Sequence, residues 1–209
     1  MAIKKKKFKE KRWFYDLGFV TGIWPLIAWF RPKKIFIHKR YKIKGGAVLC
    51  YNHRSYFDFM STLMAVIFRR HRVISIEEMI EKKFNRWVMT HLLIIPINKD
   101  NFTIESYKQI TTVLKGGGLI DIFPEGSLND SDEMLEFKDG PALFALRCKV
   151  PIIPIYIRKR KNVFERMRFY FGDPIDLNEL GFTKDNLHEA TLLLQDKMNE
   201  LKEFSKEAK

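Results

Sequence analysis

Cysteine is nearly missing from this chain of 209 residues, with only Cys50 and Cys148 present. That density excludes a disulfide scaffold. No C-x-x-C pair or other metal-ligand spacing occurs, and the five histidines are scattered. Each cysteine lies in an apolar context, where the free thiol behaves as a small buried hydrophobe. These features point to a reduced, cytoplasmic protein with no structural metal. Acidic residues are also scarce, 25 against 38 Lys and Arg, for a formal charge of +13. Such a surplus favours polyanions: nucleic acid, anionic headgroups or phosphorylated small molecules. Residues 1–12 hold seven Lys/Arg and one Glu, nearly half of the surplus. An arm of that kind suits nucleic acid and membranes equally. Long uncharged runs are lacking too. The stretch from Leu17 to Phe30 is 14 residues, whereas a helix crossing a bilayer needs roughly 20. No A-x-A-like cleavage site follows it, no internal repeat occurs, and no G-x-S-x-G nucleophile elbow exists.

Aromatic and aliphatic residues are plentiful. Hydrophobic residues make up 46% and Phe alone numbers 18, enough for a large core. Three of the four tryptophans, Trp13, Trp24 and Trp29, lie in one apolar segment with basic residues on both sides. Tryptophan favours the headgroup layer, so residues 1–34 are expected to form a membrane-associating helical segment that enters one leaflet. The alternative is an apolar N-terminal helix that docks on the domain. From residue 35 to 209, short β-branched runs (41–51, 73–76, 92–98, 119–123, 151–157 and 168–172) alternate with helical segments (55–70, 77–90, 103–115 and 138–148). This pattern predicts an α/β domain with a mostly parallel sheet flanked by helices. A final amphipathic helix over 184–204 places Leu187, Thr191, Leu194, Met198 and Leu201 on one face.

Four stretches carry candidate chemistry. In YNHRSYFDF, His53 and Asp58 are five residues apart, about 140° around a continuous helix. They meet only if His53 precedes the helix and folds back. Asp58 would then hold one ring nitrogen and leave the other to take a proton. The plainer reading is a helix cap built on Ser55 and Asp58. In LIDIFPEGSLND, a strand ends at Pro124 and delivers Glu125, Gly126 and Ser127 to a turn. LLIIPINKDN brings Asn98 and Lys99 to the sheet edge, where a lysine can bind phosphate as a compact charge. In VPIIPIYI, two prolines argue against a regular central strand and suggest a strand start that shapes a pocket. No serine or cysteine nucleophile is marked out near His53, so the substrate is expected to bring its own, typically a hydroxyl.

In this order and spacing, NHRSYFD (52–58), FPEGS (123–127), FKDG (137–140) and VPIIPI (150–155) resemble the glycerolipid acyltransferase family, which includes the lysophosphatidic acid acyltransferases. The resemblance covers roughly residues 40–160. It implies that His53 is the general base and Asp58 the group that orients it. Asn52, Lys99, Glu125, Gly126 and Ser127 are the implied substrate-binding residues. It further implies a thioester donor on coenzyme A or acyl carrier protein, with no bound cofactor and no metal. The implied acceptor is a lysophospholipid, 1-acylglycerol-3-phosphate, giving phosphatidic acid at the cytoplasmic face of the cell membrane, with no nucleic-acid partner. Two departures bear on the acceptor. Lys99 replaces an Arg that the family usually places after an apolar run, and Leu128 and Asn129 follow Ser127 where an Arg often continues the motif. Another lysolipid or amphipathic acceptor is the alternative, and a basic nucleic-acid- or membrane-binding protein is the non-enzymatic one.

Overall fold

The structure, a computed structural model, describes residues 12–54, 58–67, 69–76, 94–98, 102–129, 131, 133–162 and 164–208. Within them a seven-stranded sheet is formed by β1 (Lys33–Phe36), β2 (Ala47–Tyr51), β3 (His71–Ile76), β4 (Ile95–Ile97), β5 (Leu119–Ile122), β6 (Ile152–Ile157) and β7 (Arg168–Phe171). The strand order is β1-β7-β6-β2-β5-β3-β4. The five strands from β6 to β4 run parallel, with Leu49 beside Asp121 and Cys50 beside Pro154. β7 turns back antiparallel on β6, and β1 follows β7 in parallel.

Among the described residues five helices cover the sheet: α1 (Arg12–Phe30), α2 (Asp58–Ala65), α3 (Ile104–Lys115), α4 (Gly140–Cys148) and α5 (Leu187–Glu207). The interior strands β2, β5 and β6 are buried along their whole length, so their residues alternate between two cores. Val48 and Cys50 of β2 join Ile110 and Leu114 of α3, Ala142 and Phe144 of α4, and Leu194 and Met198 of α5. Ala47, Leu49 and Tyr51 face the other way, onto Leu63 and Met64 of α2 and Leu26, Ile27 and Phe30 of α1. Local sequence explains the helix ends. Thr103 caps α3 by accepting the Ser106 N–H, which satisfies one of the free donors of its first turn. Pro141 pre-sets the backbone at the start of α4. In α5 the buried positions Thr191, Leu194, Met198 and Leu201 recur at steps of three and four, as expected.

The expected α/β architecture with a mostly parallel sheet is the one found. Three particulars differ. VPIIPIYI forms a regular interior strand, β6, buried along its whole length. Pro154 is accommodated because the Ile152 N–H bonds the Ile175 carbonyl on the β7 side. The Pro154 nitrogen faces that same side, between the Ile152–Ile175 bridge and the ladder that starts at Ile155–Phe171. No ladder donor toward β2 is lost. β1 begins at Lys33, inside the stretch assigned to the N-terminal segment. The 41–51 run is a strand only from Ala47. The helix expected over 77–90 lies outside the described residues.

The first residue before β2 shows how closely the layers meet. A Cβ on Gly46 would lie 2.2 Å from the Leu114 carbonyl oxygen at the end of α3. That oxygen belongs to the backbone and has no rotamer by which to step aside. Gly46→Ala should therefore cost about 1–3 kcal/mol, the range for overpacking a tight interior. Gly140→Ala, with nothing within 4 Å of its added carbon, should leave the urea midpoint unchanged. Equal midpoints for the two variants would refute the close approach.

Candidate active site

In an open α/β sheet, a crevice forms at the carboxyl edge where neighbouring strands send their following helices to opposite faces. Here that happens between β2 and β5. The chain leaving β2 reaches α2 on one face, and the chain leaving β5 reaches α4 on the other. His53 follows β2 and Glu125 follows β5, so the topology alone brings these two turns to one place.

The described residues then lock them together. The backbone N–H of His53 donates to Glu125 Oε1 at 3.0 Å. The other carboxylate oxygen, Oε2, accepts from Asn129 Nδ2 at 2.9 Å and from the Leu135 N–H at 3.1 Å. The Asn129 N–H returns to the His53 carbonyl at 2.9 Å. Glu125 is only 3% exposed, so its carboxylate is an internal clamp for the two turns. Gly126 makes the turn possible. Its φ of +66° lies in the left-handed region, and its N–H bonds the Phe123 carbonyl at 3.1 Å. Ser127 follows on the exposed side.

His53 lies before α2 and folds back toward it. Its Nδ1 is 3.2 Å from Asp58 Oδ2, with Asp58 the first residue of the helix. The same carboxylate oxygen accepts the Arg54 N–H at 2.6 Å. A carboxylate only accepts, so the proton of this contact belongs to Nδ1, and Nε2, across the ring, is the nitrogen that carries the lone pair in a neutral imidazole. Phe123 fixes the ring from one side, stacked at 4.2 Å between centroids and 25° between planes. His53 and Asp58 are thus brought together. Ser55, the other half of the cap reading, lies outside the described residues.

Asn52 is 3% exposed and uses both ends of its amide on one neighbour. Nδ2 donates to the Ile157 carbonyl at 3.2 Å, and Oδ1 accepts the Ile157 N–H at 2.7 Å. It pins the end of β2 to the end of β6. Lys99 lies outside the described residues. Asn98, just before it, follows β4 at the same carboxyl edge.

Sequence reasoning missed a second His–Asp pair. His71 on β3 and Asp121 on β5 are joined through Nδ1 and Oδ2, and both side chains are wholly buried. His71 Nε2, Asp121 Oδ1 and the Tyr51 hydroxyl are buried with no hydrogen-bond partner among the described residues. Burial, and then the charge of Asp121, pushes the Tyr51 phenol well above its ordinary range. Burial likewise raises the Cys50 thiol, which leaves it a poor nucleophile. The two members are 50 residues apart, and neither belongs to a motif.

Known proteins resemble this chain at several levels. A family model described as Acyltransferase matches residues 34–158. A 1-acyl-sn-glycerol-3-phosphate acyltransferase of Bacillus subtilis (strain 168) is 21% identical over 175 residues, covering 80% of this chain and 87% of that protein. The Haemophilus influenzae protein of the same name is 34% identical over 84 residues, which are 37% of this chain and 34% of that protein. A Caenorhabditis elegans protein provisionally named for the same activity is 23% identical over 177 residues, 78% of this chain and 62% of its own length. The chain therefore spans under two thirds of these last two relatives. In fold it matches the crystal structure of the 1-acyl-sn-glycerophosphate (LPA) acyltransferase PlsC from Thermotoga maritima. That likeness has a TM-score of 0.59 at 18% identity, over 93% of this chain and 78% of that one.

The Glu125 clamp yields a direct test. Glu125→Ala would strand three donors, two of them backbone, and should lower unfolding stability by about 2–4 kcal/mol. Glu125→Gln keeps one acceptor oxygen and should cost less. Denaturant titration of both variants checks this, and wild-type stability in Glu125→Ala would show that the carboxylate holds nothing.

Proposed function

This chain belongs to the acyltransferase family, and from that premise we propose that it is a membrane-associated 1-acylglycerol-3-phosphate O-acyltransferase that forms phosphatidic acid. The observation that carries the proposal is the His53–Asp58 contact, at the carboxyl edge of the sheet and on the first turn of α2. Asp58 engages Nδ1, so Nε2 is the basic nitrogen of the ring. In the proposed reaction Nε2 takes the proton from the acceptor hydroxyl, and that oxygen attacks the thioester carbonyl carbon of acyl-CoA or acyl-ACP. The tetrahedral intermediate collapses with cleavage of the C–S bond. The departing thiolate takes the proton back from the imidazolium, and Asp58 stabilises that cation while it exists. The substrate supplies the nucleophile, so no acyl-enzyme is formed. Glu125, Gly126 and Asn52 position the turn in this scheme, while Ser127, on the exposed side, and Lys99 are the residues left to meet the acceptor.

The names of the relatives from Bacillus subtilis and Haemophilus influenzae support 1-acylglycerol-3-phosphate as acceptor. One observation favours a second reading, a different lysolipid. Where the motif often continues with Arg, Leu128 is partly buried, and the next residue, Asn129, turns inward to Glu125. The turn therefore offers no guanidinium to a phosphate. The lipid acceptor also motivates placing the protein at the cytoplasmic face of the membrane, held by its N-terminal segment. Among the described residues no helix is long and apolar enough to cross a bilayer, in keeping with a monotopic or peripheral attachment.

Purified protein supplied with lysophosphatidic acid and acyl-CoA or acyl-ACP should form phosphatidic acid, detected by mass spectrometry. His53→Ala should lower kcat/KM by about 10²–10⁴, the usual weight of a general base, and Asp58→Asn should also impair turnover. Full activity in His53→Ala would overturn the mechanism. Turnover confined to another lysolipid would move the acceptor and leave the mechanism intact.

A further inference from the structure

The connection between β6 and β7, residues 158–166, reads RKRKNVFER and is not part of any family motif discussed above. Its place follows from strand direction. β6 ends at Ile157 on the carboxyl edge, and Asn52 ties Ile157 directly to the residue before His53. Because β7 is antiparallel to β6, and β1 is parallel to β7, both of those strands begin at this same edge. The C-terminal end of α1 is delivered there as well, with the Met167 N–H bonded to the Phe30 carbonyl at 2.9 Å.

The connection is held in a defined shape. Asn162 Oδ1 accepts the N–H groups of Phe164 and Glu165 at 3.0 and 2.9 Å. Glu165 accepts the Lys161 N–H at 2.6 Å and an Arg158 N–H at 2.8 Å. Arg31 donates to the Phe164 carbonyl at 2.6 Å, and Arg166 returns a bond to the Arg31 carbonyl at 3.1 Å. All this organisation presents Phe164 to solvent, 74% exposed. The ring of Trp29, itself 58% exposed, stands 6.4 Å from it. The Arg160 guanidinium lies over Phe30, 4.4 Å from the ring centre. Earlier in α1, Leu17 and Trp24, seven residues apart and so on one side of the helix, are also more than half exposed.

A loop braced to hold a large aromatic ring in water needs a partner that removes the ring from water. The charge around it indicates which partner. The connection carries five Lys/Arg, and its one acid, Glu165, is turned inward to Arg158. Aromatic rings ringed by cations match an interface that is apolar below and anionic above. We propose that residues 158–166 and the end of α1 form a docking surface for an anionic membrane. Phe164 and Trp29 enter the acyl–headgroup boundary, while Lys161 and Arg166 meet lipid phosphates. The consequence is orientation: an N-terminal helix alone tethers the domain, whereas a second contact on the catalytic edge turns His53 toward the lipid. The purpose assigned to the surface rests on the membrane reading above, but its existence does not.

The test uses the full chain and vesicles of phosphatidylglycerol and phosphatidylcholine, with binding read by co-sedimentation and no turnover measured. Phe164→Ser should weaken binding about tenfold, the lower end of what burying a phenylalanine contributes. Lys161→Glu should weaken binding to anionic vesicles by roughly tenfold or more and leave the weak binding to pure phosphatidylcholine unchanged. Wild-type binding by both variants would overturn the proposal. So would a lipid-free wild-type oligomer that Phe164→Ser dissociates, because the ring would then be covered by a second copy of the chain. Inactivity toward lysophosphatidic acid would count against the acceptor and leave this surface untouched.

Discussion

The hydrogen bond from the His53 amide to Glu125 joins two turns that the sheet otherwise drives apart. β2 and β5 are neighbours, but the segments after them depart to opposite faces, and a crevice opens between. A crevice is useful for binding and poor at holding a side chain still. The buried Glu125 carboxylate resolves this by accepting from both walls at once: from His53 on one side, and from Asn129 and Leu135 on the other. A charged acceptor makes each of those bonds stronger than a neutral one would be. The imidazole is then oriented by two further contacts, Asp58 at Nδ1 and Phe123 on its face. If the clamp is lost, Asp58 still touches the ring, but the ring's base no longer has a fixed position relative to the β5 turn.

Beneath this turn lies a polar stratum inside an otherwise apolar sheet. Tyr51 precedes His53 by two residues, and Asp121 precedes Phe123 by two. In extended chain that puts each directly under its successor on the same face. Asp121 pairs with His71, so the crevice rests on a buried polar pair rather than on hydrocarbon. Such pairs rarely add stability over well-packed apolar side chains, but removing one partner from them is costly. The stratum therefore constrains the β3–β5 register near the site at the expense of packing energy. Cys50 and Tyr51, both wholly buried at the end of β2, are kept as neutral thiol and phenol by the same surroundings.

Much of the architecture was legible in the sequence because it depends on local pattern. Short apolar runs, β-branched or aromatic, marked five of the seven strands closely, and the spacing of Thr191, Leu194, Met198 and Leu201 marked the packing face of α5. His53 and Asp58 were legible because the turn between them is short and the chemistry of a five-residue gap demands a fold-back. What was not legible depends on distant partners. Nothing near Pro154 states that its missing donor would fall between two ladders, so an interior strand was rejected. Nothing near Asn52 announces Ile157, 105 residues away, as the group that takes both ends of its amide. The same holds for His71 and Asp121. β1 escaped because its four residues, KKIF, carry two lysines and half a strand's worth of apolar surface.

The reversal at β7 has the widest consequence for how the molecule presents itself. Had β7 run parallel to β6, the connection would have crossed the sheet and β7 would have started at the amino edge. The end of α1, bonded to Met167 just before β7, would then sit about 20 Å away, the length of a six-residue strand. Antiparallel return instead sets the end of α1, the 158–166 connection and the His53 turn on one edge. Only then do the exposed rings, the cations and the imidazole lie at one edge of the sheet. The reversal thus decides that the crevice and the end of α1 share one edge, although β7 and β1 contribute little to the crevice itself.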